Sequence, residues 1–153
     1  MRAFGRRLRK LLRSGEADAI LEPWLWPEPP PPEALWTEGG CWILAEALCR
    51  VLGPPARLVG VWAPYPRPYV GEALVHAVVE IDGWFLDSKG AHTEGELVRL
   101  WSTTGEPKAA LVPFSTRAAE GIRCPAVQVE RLERWLARHL QRAWRIVHHG
   151  PSR

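Results

Sequence analysis

Cys41, His76 and Asp87 carry the side chains of a nucleophile, a base and an orienting acid, in that chain order. A thiol becomes an effective nucleophile when a neighbouring base takes its proton, and an imidazole serves best when a third group fixes its tautomer. Cys41 follows Gly39-Gly40 and precedes the helix-forming run from Trp42 to Leu48. The glycines allow a tight turn, so the thiol is expected in the first turn of a helix. Free N–H groups and the positive end of the helix dipole meet there and favour a thiolate. Cysteine also packs well as a small apolar residue, so Cys41 reads either as a nucleophile or as a core side chain.

The base and the acid are brought together by a hairpin. Residues 74–81 read as a strand, Asp82-Gly83 as a two-residue turn, and residues 84–89 as the return strand. That turn pairs Ile81 with Trp84, Val79 with Leu86 and Ala77 with Ser88, and these residues form an apolar face with Val75. Glu80 with Phe85, Val78 with Asp87, and His76 with Lys89 occupy the other face. His76 and Asp87 are then diagonal neighbours within side-chain reach. The alternative is an ordinary sheet histidine and a surface acid. His92, past the return strand, is the alternative base.

The elements around this hairpin follow from periodicity. Residues 2–13 predict a helix with Phe4, Leu8, Leu11 and Leu12 as its apolar stripe and six basic residues on the remainder. A second short helix is expected over 16–22 and a polyproline-II connector over 27–32. Cys41, Leu44, Ala45, Leu48 and Leu52 recur at helical spacing, and Gly53-Pro54-Pro55 stops that helix. Residues 57–62 predict a strand and 63–71 a loop. Thr93-Glu94-Gly95-Glu96 is a capping box opening a helix to Trp101. Residues 109–114 predict another strand and 115–128 irregular chain. Residues 129–147 predict an amphipathic helix with Val129, Leu132, Leu136, Leu140, Ala143 and Val147 facing inward.

Composition bounds the partners and the compartment. The chain has 153 residues, enough for one domain with its own core, divided as a basic helix and proline-rich arm over 1–35, a central core over 36–114 and a C-terminal helix over 115–153. Three cysteines without a CxxC pair argue against a disulfide framework and for a reducing compartment, the cytoplasm. No apolar run reaches the roughly 18 residues of a membrane span. No ligand set has metal spacing, and no cofactor is expected. Many prolines and no asparagine fit a heat-adapted source, and a GC-rich genome gives the same bias. Residues 1–13 carry six positive charges and no negative one, and residues 131–153 carry six positive and one negative. Residues 14–130 carry eight positive and sixteen negative. Two basic helices packed on an acidic body explain this pattern. An anionic partner, either nucleic acid or a membrane surface, is the sharper reading.

Several stretches together resemble the core of the transglutaminase-like superfamily. They are Gly40-Cys41, Ala45 and Leu48, Leu52-Gly53-Pro54-Pro55-Ala56-Arg57-Leu58-Val59-Gly60-Val61, His76-Ala77-Val78-Val79-Glu80, Gly83-Trp84 and Asp87. The similarity covers roughly residues 36–90. Arylamine N-acetyltransferases are similar in layout, with Glu38 standing where they carry arginine. Val78 and Gly40 depart from the tryptophan and acidic residue that the superfamily often carries at those places. The resemblance implies a papain-like α+β fold, a cysteine-bearing helix packed on an antiparallel sheet. It implies Cys41 as nucleophile, His76 as base and Asp87 as orienter. The chemistry implied is amide hydrolysis, deamidation or acyl transfer to an amine through a thioester.

An oxyanion hole would use the Cys41 backbone N–H and a second donor, expected to be the indole of Trp36 or Trp42. Cys49 and Cys124 are expected to be structural. The substrate class is then a peptide, an amide or an acyl small molecule. The alternative is a non-catalytic binding module on the same fold, using its basic terminal helices for an anionic or protein partner. A third possibility is a homo-oligomer joined through those helices.

Overall fold

A computed structural model describes residues 1–25, 36, 39–64, 72–102, 108–113 and 126–149. The central element is α3 (Gly40–Leu52), and its composition explains its place. Gly40, Cys41, Ile43, Leu44, Ala45, Ala47, Leu48 and Leu52 are all buried, so it is apolar around most of its circumference. Such a helix needs cover on several sides. The sheet covers one side and the C-terminal helix α5 (Ala126–His149) another. Val129, Leu132, Leu136 and Leu140 of α5 are buried as their spacing predicts, and Trp135 and Trp144 join them.

The sheet has the order β4-β3-β2-β1-β5, with every neighbouring pair antiparallel. Its strands are β1 (Arg57–Pro64), β2 (Glu72–Ile81), β3 (Trp84–Asp87), β4 (Gly90–His92) and β5 (Ala110–Pro113). The described chain is therefore α+β. One face of the sheet meets α3 through Ala77, Val79, Ile81 and Leu86. The other face carries a second cluster of Val59, Val61, Val78, Phe85 and Leu97 beneath α4 (Glu94–Trp101). The capping box of α4 forms as read, with Thr93 Oγ1 accepting from the Glu96 amide and Glu96 accepting from the Thr93 amide.

The two terminal basic helices pack on this body. α1 (Arg2–Leu12) buries Phe4, Gly5, Leu8 and Leu12. It lies along β4 and α5, where the Phe4 and Trp144 rings meet edge to face at 5.5 Å. α2 (Asp18–Leu25) lies later than the helix expected over 16–22 and packs against α5. Leu21 on its inner face is fully buried and belongs to the core around α3. A groove of about 610 Å³ between α2 and α5 is lined by Arg131, Arg134, Arg138 and Glu16 over Ile20 and Trp135. Among the described residues no helix is long and apolar enough to cross a membrane. The proline-rich segment 27–32 and Cys124 lie outside the described residues.

Two features of the sheet differ from the expected hairpin. The return strand stops at Asp87, and Ser88-Lys89 turns the chain into β4, which pairs with β3. The pairs Ala77–Ser88, Val78–Asp87 and His76–Lys89 therefore do not form, whereas Val79–Leu86, Glu80–Phe85 and Ile81–Trp84 do. In addition, β2 carries one extra residue, Val75, between the pairs Val61–His76 and Trp62–Leu74. This bulge breaks strict alternation. Val75 accordingly packs with Val78 in the second cluster and not with Ala77 and Val79. β1 also extends through Ala63 and Pro64, which the sequence assigns to a loop.

Candidate active site

Cys41 occupies the second position of α3, directly after Gly40. The residue capping the helix, Gly39, has φ 101°, a conformation that glycine adopts without the Cβ penalty. Glycine also has no side chain with which to cap the first-turn amides, and no side-chain cap bond is present. The thiol is buried, as are His76 and Asp87, the two buried polar or charged residues among those described.

His76 follows the bulge on β2 and sits where the two layers meet. Its ring stacks on Trp101 of α4, with centroids 4.5 Å apart and planes 24° from parallel. Its Nε2 pairs with Asp87 Oδ2 at 3.2 Å. The hairpin thus brings the two side chains together, although the ribbon pairs over fewer residues than expected. The Cys41 thiol, on α3, lies near enough to the same ring to raise its pKa. Nε2 is taken by Asp87, so Nδ1 is the ring nitrogen left for the thiol. Nδ1 is buried and makes no full hydrogen bond among the described residues.

Asp87 is held on both oxygens. Oδ1 accepts from the amides of Lys89 at 2.7 Å and Gly90 at 3.1 Å, and from His92 Nε2 at 2.9 Å. Burial pushes its pKa up, but the hydrogen bonds with His76 and His92 and the nearby charge outweigh burial and hold the carboxyl well below its ordinary range. An ionised carboxylate only accepts, so the nitrogen that His76 presents to it must carry a proton. Neutral His76 then has a bare Nδ1, the tautomer that can take a proton from a thiol. Burial pulls the His76 pKa down, yet the hydrogen bonds with Asp87 and Cys41 and the charges of both raise it from 6.5 to about 9.

The remaining candidates fall into place around this pair. Trp36 is buried, and its Nε1 donates to Asp18 Oδ1 at 3.3 Å, so that N–H is engaged with α2. Trp42 is half-buried in the first turn of α3. Cys49 lies one face round the helix, with its Sγ 3.5 Å from the Ala56 carbonyl, and burial and Glu46 push its thiol pKa up. His92 approaches Asp87 through Oδ1, the oxygen opposite to the one that pairs with His76. Among the described residues no cluster of three side chains could hold a metal ion.

Trp101 escapes sequence reasoning as a participant, and His92, read there only as an alternative base, escapes it as a partner of Asp87. Trp101 covers the His76 ring, and its Nε1 is buried without a hydrogen-bond partner among the described residues. Lys89 Nζ lies over the Trp101 ring at 5.6 Å. The capping box fixes where α4 starts, and eight residues later Trp101 reaches the sheet face. His92 as a second imidazole on Asp87 has one local signal, its place one residue before that cap. Comparison of the chain with protein-family models, curated proteins and solved structures gives no match.

Proposed function

We propose that the chain is a thiol-dependent hydrolase or acyltransferase of transglutaminase-like, papain-like design, with Cys41 as nucleophile, His76 as base and Asp87 as orienter. The observation that carries this reading is the His76 ring held through Nε2 on Asp87, with Nδ1 left for the Cys41 thiol. In the reaction, Nδ1 already carries the thiol's proton, as the raised His76 pKa favours, and Sγ attacks the acyl carbon of an amide or activated ester. The oxyanion gathers hydrogen bonds from the first-turn N–H of Cys41. His76 returns the proton to the leaving group as the carbon–heteroatom bond breaks, and a thioester forms. Water or an amine, deprotonated by His76, then releases the acyl group and restores the thiol. Trp101, whose N–H has no hydrogen-bond partner among the described residues, takes the place expected for Trp36 or Trp42 as the indole donor beside the pair. A free catalytic thiol suits the reducing cytoplasm.

The test is alkylation with stoichiometric iodoacetamide, followed by intact mass and peptide mapping. Cys41 is expected to react at least about tenfold faster than Cys49, the thiol that burial and Glu46 hold back. Equal rates at the two cysteines, or an unchanged modification pattern in Cys41→Ser, would overturn the assignment.

A second reading, a binding module for an anionic partner, is favoured by the arginine-lined groove between α2 and α5. It predicts that Arg134→Glu weakens salt-sensitive binding to an acidic polymer such as heparin at least about fivefold, with Cys41→Ala unchanged. Equal retention of wild type and Arg134→Glu on a heparin column would remove it.

A further inference from the structure

We propose that His92 is a positioning residue that locks the rotation of the Asp87 carboxylate, so that Oδ2 stays aimed at His76. The inference rests on the reading of Cys41, His76 and Asp87 given above and extends it to a fourth side chain.

The argument begins with the capacity of each oxygen. Oδ1 has three donors, the amides of Lys89 and Gly90 and the Nε2–H of His92, which saturate it. Oδ2 is left with His76. The two amides belong to the turn that Asp87 itself begins, so they move with its backbone. His92 is the side chain that ties the carboxylate to a separate framework.

That framework is built on both sides of the histidine. Ala91, the residue before it, is pressed against Gly5 of α1, where a Cβ on Gly5 would lie 2.4 Å from the Ala91 nitrogen. Arg2 Nη1 donates to the Ala91 carbonyl at 3.4 Å. Thr93, the residue after it, is the N-cap of α4 and is closed into its capping box with Glu96. His92 itself pairs with Phe85 across β3 and β4. A side chain with both neighbours fixed in this way presents its nitrogen in one direction, as support for a reactive pair requires.

The arrangement also sets a tautomer. Because Asp87 only accepts, neutral His92 must carry its proton on Nε2, as His76 does. Both imidazoles therefore donate to one carboxylate, and the free nitrogen of each lies on its far side.

The experiment combines imidazole nitrogen NMR with Cys41 alkylation. In the wild-type protein, His92 is expected as the Nε2–H tautomer, and a Nδ1–H tautomer overturns the proposal without any variant. In His92→Ala the Nε2–H resonance of His76 is expected to shift or be lost, and Cys41 alkylation to slow about tenfold, the size of one lost hydrogen bond to a charged group. His92→Gln, whose amide N–H reaches a similar place, is expected to restore the resonance and a rate within about threefold of wild type. A His76 resonance and an alkylation rate unchanged in His92→Ala would overturn it. If His76→Ala itself leaves Cys41 alkylation unchanged, the triad reading fails, and the His76 resonance still decides the role of His92.

Discussion

Asp87→Asn is expected to slow hydrolysis of an activated acetyl ester at Cys41 by about 10³–10⁴-fold, the scale seen when the acid of such a triad becomes an amide. The cause is a forced change of tautomer. If the asparagine carbonyl keeps the three donors that now reach Oδ1, its NH₂ faces His76 Nε2. Two donors cannot pair, so the ring must place its proton on Nδ1, the nitrogen needed bare for the thiol.

Stability should fall as well, by about 3 kcal/mol, because breaking a buried pair leaves one partner uncompensated. The pH dependence carries a matching signature. The folded His76 pKa lies above its ordinary 6.5, at about 9. Its contribution is therefore complete below about pH 6.5 and is lost as pH rises toward 9. The folded Asp87 pKa lies below its ordinary 3.8, so its contribution is present above that value and is lost as pH falls through the folded pKa. The pair thus supports the fold most fully between about pH 4 and 6.5. Wild-type Tm should decline from pH 6.5 to 9, and Asp87→Asn should lessen that decline. An unaltered ester hydrolysis rate, or the same alkaline decline in both proteins, would refute this account of the site.

Gly5→Ala is expected to destabilise the protein by about 2 kcal/mol, read as a lower urea midpoint at constant slope. In an exposed helix the same change would help, since alanine is the better helix former. At Gly5 the new methyl would stand 2.4 Å from the Ala91 nitrogen and 2.6 Å from its Cβ. The first of these atoms is backbone and cannot rotate away, and β4 is fixed by its pairing with β3. α1 must therefore lift, and with it Phe4 and Leu8 lose their contacts. Gly95→Ala in α4, where a Cβ meets nothing within 4 Å, is the control and should stabilise by about 0.5–1 kcal/mol. A Gly5→Ala midpoint at or above wild type would show that the α1–β4 contact is softer than its geometry indicates.

Legibility in the sequence follows the range over which each feature is determined. The Asp82-Gly83 turn is a two-residue decision, and both residues adopt positive φ, 50° and 74°. It fixes three cross-strand pairs and brings His76 and Asp87 within reach. Helical periodicity likewise identifies the buried face of α3 and most of that of α5. β4 is too short, at three residues, to show a period, and its reason for being a strand is β3 beside it. The bulge at Val75 has no glycine to announce it. Trp36 sends its N–H to Asp18, eighteen residues away, and no local pattern selects that partner over the thiol site. Trp101 joins the pair only because α4 folds back over the sheet, and His92 only because the chain turns from β3 into β4.

The seating of α1 has a consequence for biosynthesis. Its Phe4 meets Trp144 and its Arg7 Nη2 donates to the His139 carbonyl, a partner 132 residues later. During translation this amphipathic, arginine-rich segment leaves the ribosome long before α5 exists to receive it. Until then β4, which is made earlier, is the surface on which α1 can rest. The seating of α1 is therefore completed only when residues made far apart in synthesis meet.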